Sequence, residues 1–219
     1  NANNGTSYGG MTSGDQVAGK IGGGLDLETD DYISAANNGS TLNVGQAFTL
    51  EAWIKRDTTG PKTVVTKRYG SAYSFKLSFT SSDVLRLDVY NGNGYNNVQG
   101  NTITDTNWHY VGAYLNGTSL KLITDGVVHS NTGSKTGTIP YDSNSLWMGV
   151  GIWSNNPVDY FDGIIDEVRI SNVVRSDCWI KTSYLNQNSP STFSTVGNEE
   201  STPTVDTQAP VISSVASGG

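Results

Sequence analysis

An all-β, two-sheet antiparallel sandwich closed by a short C-terminal helix is the fold class that this 219-residue sequence predicts. Three observations point there. Apolar and polar residues alternate with period two in several runs. Turn signals such as Asn116-Gly117 and Asp125-Gly126 fall between the runs. No long stretch before Val173 carries a helical period. Composition agrees: apolar residues make up only 35%, so the core must be economical, but aromatics reach 10% and charged residues only 15%, the reverse of a disordered chain.

The elements read in order as follows. Residues 1 to 23 are rich in Gly, Asn and Ser and read as loop and turn, with strand-like runs beginning at Leu25. Phe48, Leu50, Ala52 and Ile54 alternate with Thr49, Glu51, Trp53 and Lys55. Ala72 to Phe79 and Val84 to Tyr90 form a predicted hairpin around Ser81-Ser82-Asp83. Trp108 to Leu115 pairs with Leu120 to Ile123 through the Asn116-Gly117 turn, and Asp125-Gly126 reverses the chain into Val127-Val128. Leu146 to Ile152 and Phe161 to Ile170 complete the strands. From Ser176 to Gln187 the period changes: Ser176 or Asp177 caps a helix whose buried face carries Ile180, Tyr184 and Leu185. Residues 1–188 therefore form one domain, 189–207 a Ser/Thr/Pro linker, and 208–219 the start of a following domain or a tail.

The net charge of −7 and a pI near 4.6 argue against a nucleic-acid backbone as partner. No run approaches the roughly 18 apolar residues that a membrane-spanning helix needs. The chain opens at Asn1 without an initiator Met, and is expected to be a piece of a longer, multidomain precursor. The single cysteine, Cys178, makes an intrachain disulfide impossible and reads as a small buried hydrophobe. Asn4-Gly5-Thr6, Asn38-Gly39-Ser40 and Asn116-Gly117-Thr118 have the form of glycosylation sequons but read first as turns.

Five segments, in order, carry a resemblance. They are Gly24-Leu25-Asp26-Leu27 with Asp30-Asp31-Tyr32-Ile33; Phe48-Thr49-Leu50-Glu51-Ala52-Trp53-Ile54-Lys55; and Asn107-Trp108-His109-Tyr110-Val111. Leu120-Lys121-Leu122-Ile123-Thr124-Asp125-Gly126 and Phe161-Asp162-Gly163-Ile164-Ile165-Asp166-Glu167-Val168-Arg169-Ile170 follow. Together they resemble the laminin-G-like, concanavalin-A-like jelly rolls over roughly residues 3 to 186. The resemblance implies a two-sheet jelly roll. It also implies an opening strand ahead of Asn3-Asn4-Gly5-Thr6 that this sequence does not show. A row of unpaired backbone groups is expected in its place, filled by the Val211 to Val215 segment or by a neighbouring copy through strand complementation.

The same resemblance nominates a metal. Asp166 matches the position of a structural calcium ligand in related jelly rolls, with Asp30, Asp31 and carbonyls from Gly24 to Glu28 as partners toward the roughly six to eight oxygens that Ca2+ takes. The plainer role for Asp166 is a salt bridge to Arg169 or a turn cap. Zinc has no support, because His109 and His129 stand alone. Catalysis has little: relatives that hydrolyse glucans carry closely spaced carboxylates on one strand, whereas Asp83 and Asp88 point to opposite faces, as do Asp166 and Glu167. The chain is read as a non-enzyme.

Carbohydrate recognition joins an aromatic ring, which stacks on a sugar face, to amides that take its hydroxyls. Three loops have that mixture: Tyr90 to Tyr95 with its asparagines, Tyr141 to Asn144, and Trp153 to Tyr160. Trp153, Tyr95, Asn155, Asn156 and Tyr141 are the nominated ligand contacts, although Trp153 could equally cover an open end of the sandwich. The sequence thus predicts an extracellular or cell-surface binding or adhesion module for a polysaccharide or glycan. The alternatives are an assembly repeat of a large surface protein and, less favoured, a glycoside hydrolase.

Overall fold

The structure, a computed structural model, describes residues 3–193. Two large antiparallel sheets face each other. One runs, in spatial order, Gly5–Tyr8, Tyr32–Ala35, Leu146–Met148, Lys62–Tyr69, Ala72–Phe79, Val84–Tyr90 and Tyr95–Thr102. The other runs Val127–Val128, Ser119–Thr124, Trp108–Asn116, Ala47–Arg56, Gly163–Ser171, Gly23–Leu27 and Gln16–Ala18, with Gly133–Ser134 added beside Ser119–Thr124. The predicted alternation sets the core. Phe48, Leu50, Ala52 and Ile54 point inward from their strand to meet Phe75, Leu77, Leu85, Leu87, Val111 and Leu122, all buried. Phe48 and Phe75 pack ring to ring at 4.9 Å across the sheets.

The outer face of the second sheet is also buried. The helix Asp177–Asn188 lies on it, its N-terminus capped by Ser176 Oγ, which accepts from the Trp179 N–H at 3.2 Å. Beneath it Trp53 stacks on Tyr184, with centroids 5.6 Å apart, and meets Tyr110 edge-on. The Trp53 indole N–H donates to Gln187 Oε1 at 2.7 Å, and Ile180 fills the space beside the rings. Two residues of this helix depart from expectation. Leu185 is exposed, because the anchoring face runs through Ile180, Tyr184 and Gln187 instead. Cys178 is exposed as well, lying in the first helical turn away from the sheet.

Residues 3 to 23 are more regular than their composition suggests. Gly5–Tyr8 pairs with Tyr32–Ala35, and Gln16–Ala18 pairs with Gly23–Leu27. Glycine obscures strand periodicity here because only alternate positions need a side chain. Leu146 to Ile152, read as one strand, is broken at Gly149, whose φ of 86° turns the chain from the sheet into a separate hairpin. Pro190–Phe193 forms one short helical turn at the head of the expected linker; the remaining linker, residues 208–219 and the Val211 to Val215 segment lie outside the described residues.

The strand Gly163–Ser171 has an asymmetric edge. Gly163 to Ile165 pairs with Leu25 to Leu27, but from Val168 to Ser171 the same edge has no strand partner among the described residues. A bulge at Asp166 and Glu167 separates the two stretches. Behind the open stretch, an apolar gap of about 390 Å³ reaches between the sheets, lined by Leu25, Leu27, Ile33, Met148, Ile165 and Val168.

Candidate functional site

The hairpin Gly151–Trp153/Asn156–Val158 packs across the outer face of the first sheet, burying Val150 and Ile152 beside Tyr73 and Trp147. Its turn has Ser154 and Asn155 at φ 48° and 65°, the mirror-image conformation that suits the twist of a two-residue hairpin. Asparagine tolerates that backbone region better than most residues, which explains the local sequence. The Asn155 N–H then donates to the Ser71 carbonyl at 2.9 Å, tying the hairpin tip to a neighbouring turn. Trp153, at the end of this clamped tip, is 59% exposed.

The turn that receives Asn155 is itself fixed. Gly70 takes φ 52°, and its N–H donates to Asp142 Oδ2 at 2.8 Å. Lys67, wholly buried, donates to the carbonyls of Arg68, Asp142 and Asn144 and sits 3.8 Å from the Asp142 carboxylate. Burial pulls the Lys67 ammonium down to about 8, against the pull of Asp142. On the far side, Asn91 Oδ1 accepts from the N–H groups of Asn93 and Gly94, closing the loop between Tyr90 and Tyr95.

These three turns enclose a cleft of about 380 Å³ walled by Tyr69, Tyr90, Tyr95 and Trp153, with Ser71 and Ser154 at its rim. Its tyrosines support one another: Tyr69 to Tyr90 at 5.9 Å, Tyr90 to Tyr95 at 5.1 Å and Tyr95 to Tyr73 at 4.7 Å. Burial raises the Tyr95 phenol, so it remains a neutral donor at physiological pH. Such an arrangement can stack a ring and exchange hydrogen bonds with hydroxyls.

A second cleft, also about 380 Å³, meets the first at Trp153. Lys76, Ser78, Arg86, Asp88 and Asp159 line it. Its charges are paired internally: Lys76 Nζ to Asp159 at 3.5 Å, and Arg86 Nε to Asp88 Oδ1 at 2.9 Å, with a second guanidinium contact to the same oxygen. Burial raises the Asp88 carboxyl while the Arg86 charge opposes the rise.

The nominated residues divide. Trp153 and Tyr95 stand in one cleft, and Asn155 acts through its backbone. Asn156 is exposed, with its amide donating to the Ser154 carbonyl. Tyr141 lies elsewhere: its ring packs against the core and its hydroxyl donates to the Gly45 carbonyl at 2.7 Å. The loop that carries it folds inward. Tyr69, Ser71 and Asp88 were not nominated, although the turn between Tyr69 and Tyr73 was a usable signal. Asp166 and Asp31, two of the aspartates nominated for calcium, accept backbone N–H groups. Asp166 accepts from the Ile21 N–H at 2.9 Å and the Glu167 N–H at 2.7 Å, stapling the bulge. Asp31 accepts from the N–H groups of Gly10 and Glu28, while Asp30 is exposed. Among the described residues, no three acidic, His or Cys side chains converge as metal ligands.

A family model described as the concanavalin A-like lectin/glucanases superfamily, of laminin-G type, matches residues 27–181. The chain belongs to that superfamily. A sequence search of curated proteins returns no match. Solved structures share the lectin/glucanase fold at low identity. The binding domain of botulinum neurotoxin DC, in complex with rat synaptotagmin II, superposes with a TM-score of 0.68 at 11% identity, over 84% of this chain and 46% of that one. The same toxin domain in complex with SialylT gives 0.65 and 12%, over 84% and 46%. Domain 4 of AbnA, a GH43 extracellular arabinanase from Geobacillus stearothermophilus, in complex with arabinotriose, gives 0.61 and 19%, over 81% of this chain and 86% of that one. The chain thus spans less than half of the toxin binding domains it resembles. Among the described residues, no helix is long and apolar enough to cross a membrane.

Proposed function

We propose that this chain is a non-catalytic, extracellular carbohydrate-binding module whose contact surface is the cleft of Tyr69, Tyr90, Tyr95 and Trp153. One observation carries the reading: a tryptophan 59% exposed, held at a clamped turn, facing a wall of tyrosines. A folded protein gains nothing in stability from exposing its largest apolar side chain on a clamped turn, whereas a sugar face gains a ready platform. A structural neighbour of the same fold, in complex with arabinotriose, supports the ligand class. The test is a glycan array followed by titration calorimetry. Wild-type protein is expected to bind at least one oligosaccharide, and Trp153→Ala to weaken that binding by about a hundredfold while melting normally. Binding unaffected by Trp153→Ala would refute the site.

A second reading rests on a different observation, the unpaired edge from Val168 to Ser171 with an apolar gap behind it. An extended strand added there would complete the sheet and fill the gap, making the chain a repeat that associates by strand complementation. Light scattering decides it: concentration-dependent dimers abolished by Val168→Pro favour association, and a monomer at all concentrations removes it. The hydrolase reading draws on Asp88 and Asp159 in one cleft, but each carboxylate is committed to a cation. Turnover of a bound oligosaccharide, lost in Asp88→Asn, would revive it.

A further inference from the structure

We propose that the ligand of this surface is a neutral, linear oligosaccharide that crosses Trp153, with one subsite on each side of it. This inference rests on the carbohydrate-binding reading and specifies its ligand. The first observation is the shared residue. Two clefts of about 380 Å³ each open on the outer face of the first sheet, and Trp153 is the one side chain that lines both. Each lies near the small end of the range for ligand sites, roughly 300 to 1,000 Å³. A ligand confined to one would leave half of the Trp153 surroundings without a contact. A chain threaded past the indole would use both.

The second observation is charge. Tyr69, Tyr90, Tyr95, Trp153, Ser71 and Ser154 wall the first cleft, and none carries a charge. In the second, Lys76 is matched to Asp159 and Arg86 to Asp88. Neither cation is free to meet a carboxylate on a ligand without abandoning its partner, at the cost of an uncompensated charge left against protein. The molecule as a whole is negative, at −7, and repels anions at long range. A sialylated or uronic-acid chain therefore finds no counter-charge here, and a neutral one needs none.

The two sides differ in what they ask of a sugar. Tyr69, Tyr90 and Tyr95 offer apolar faces and phenol hydroxyls, so the first subsite selects an exposed ring face. The second offers the Ser78 hydroxyl and the rims of two ion pairs, whose remaining lone pairs and N–H groups suit a hydroxyl-rich edge. The ion pairs then act as fixed polar walls, and affinity should not depend on screening.

The experiment titrates the intact chain with neutral arabino-, xylo-, cello- and manno-oligosaccharides from mono- to hexasaccharide. Sialyllactose and oligogalacturonate are the acidic comparators. Affinity for a neutral series is expected to rise by about tenfold or more between the length that fills one cleft and the length that spans both, then level off. That affinity should change by less than about twofold between about 50 mM and about 0.5 M salt. Tyr90→Ala should weaken short and long chains alike. Ser81→Trp, at the exposed rim of the second cleft, should remove only the gain with length. Preferential binding of an acidic glycan that fades with salt would overturn neutrality. Equal affinity for mono- and hexasaccharide would overturn the two-subsite track. Absence of binding to every saccharide would instead fail the carbohydrate reading itself.

Discussion

The outer faces of the two sheets carry the same kind of residue and put it to opposite uses. On one, Trp53, Tyr110 and Tyr184 are sealed under a helix, and Trp53 is 1% exposed. On the other, Tyr69, Tyr90, Tyr95 and Trp153 stand around an open cleft. The helix makes the difference. Its Gln187 satisfies the Trp53 indole, Tyr110 donates its hydroxyl to Glu51, and Ser183 meets Arg169 at 3.2 Å, so the Trp53 and Tyr110 donors are matched and the aromatic area is buried. The hairpin on the opposite face covers Val150 and Ile152 but stops short at its tip. Aromatic clusters on sheet surfaces thus need a cover before they can be read as structure, and an uncovered one is available to a ligand.

Paired tryptophan substitutions offer the sharpest way to break this comparison. Trp53→Ala removes a fully buried ring from between Tyr110 and Tyr184 and strips Gln187 of its partner. The expected loss is about 3–5 kcal/mol, lowering Tm by roughly 10 °C, with oligosaccharide affinity intact in the folded protein. Trp153→Ala should do the reverse, costing about 1 kcal/mol or less and removing binding. Thermal melts beside calorimetric titrations read both. If Trp153→Ala melts as early as Trp53→Ala, its ring is structural and the contrast collapses.

The sequence made the covered half easier to read than the open half, for a physical reason. Period-two alternation from Phe48 to Lys55 locates a strand wherever one face is apolar, and Ser176 before Trp179 and Ile180 marks a helix start by its capping chemistry alone. The open site is assembled from turns near residues 70, 92 and 154, which are far apart in the chain, and nothing local brings them together. The exposure of Trp153 at a turn was legible because polar turn residues follow it. Tyr141, in similar company, folds into the core because its neighbours Pro140 and Asp142 pin the loop: Pro140 accepts from Ser74 Oγ and Asp142 from Gly70. Asp166 was legible as important but not as a staple, since one of the two donors it serves, the Ile21 N–H, comes from a glycine turn some 145 residues earlier.

A milder perturbation sharpens the same contrast. Ser176→Ala deletes the cap of the covering helix and leaves the Trp179 N–H to water. About 1 kcal/mol of stability should be lost, roughly 3 °C in Tm. Because the helix lies across the molecule from the cleft, affinity for a bound oligosaccharide should not move. A matched fall in affinity would mean that the two faces are energetically coupled.

The smallest expected effect concerns how the covered face is anchored at its end. His109 stands between two carboxylates, with Nδ1 2.9 Å from Asp125 Oδ2 and Nε2 3.1 Å from Asp105 Oδ1. The bond to Asp125 is the main cause that lifts the imidazole above its usual 6.5, with burial opposing and Asp105 adding to the rise. Asp125 opens the turn whose Gly126 lies directly under the Tyr184 ring, where even a methyl group would sit 2.7 Å from it. Protonated His109 therefore holds the platform on which the helix rests. A folded-state value raised above the unfolded one contributes stability in full below about pH 6.5, and that contribution disappears as pH climbs through the raised value. Wild type should accordingly melt above His109→Gln under mildly acidic conditions, and the two curves should converge on the alkaline side. His129, whose imidazole burial pulls downward, titrates in the opposite sense but is common to both proteins and cancels from the difference. A Tm gap that stays constant from about pH 5.5 to about pH 8.5 would show that His109 holds the turn by shape rather than by charge.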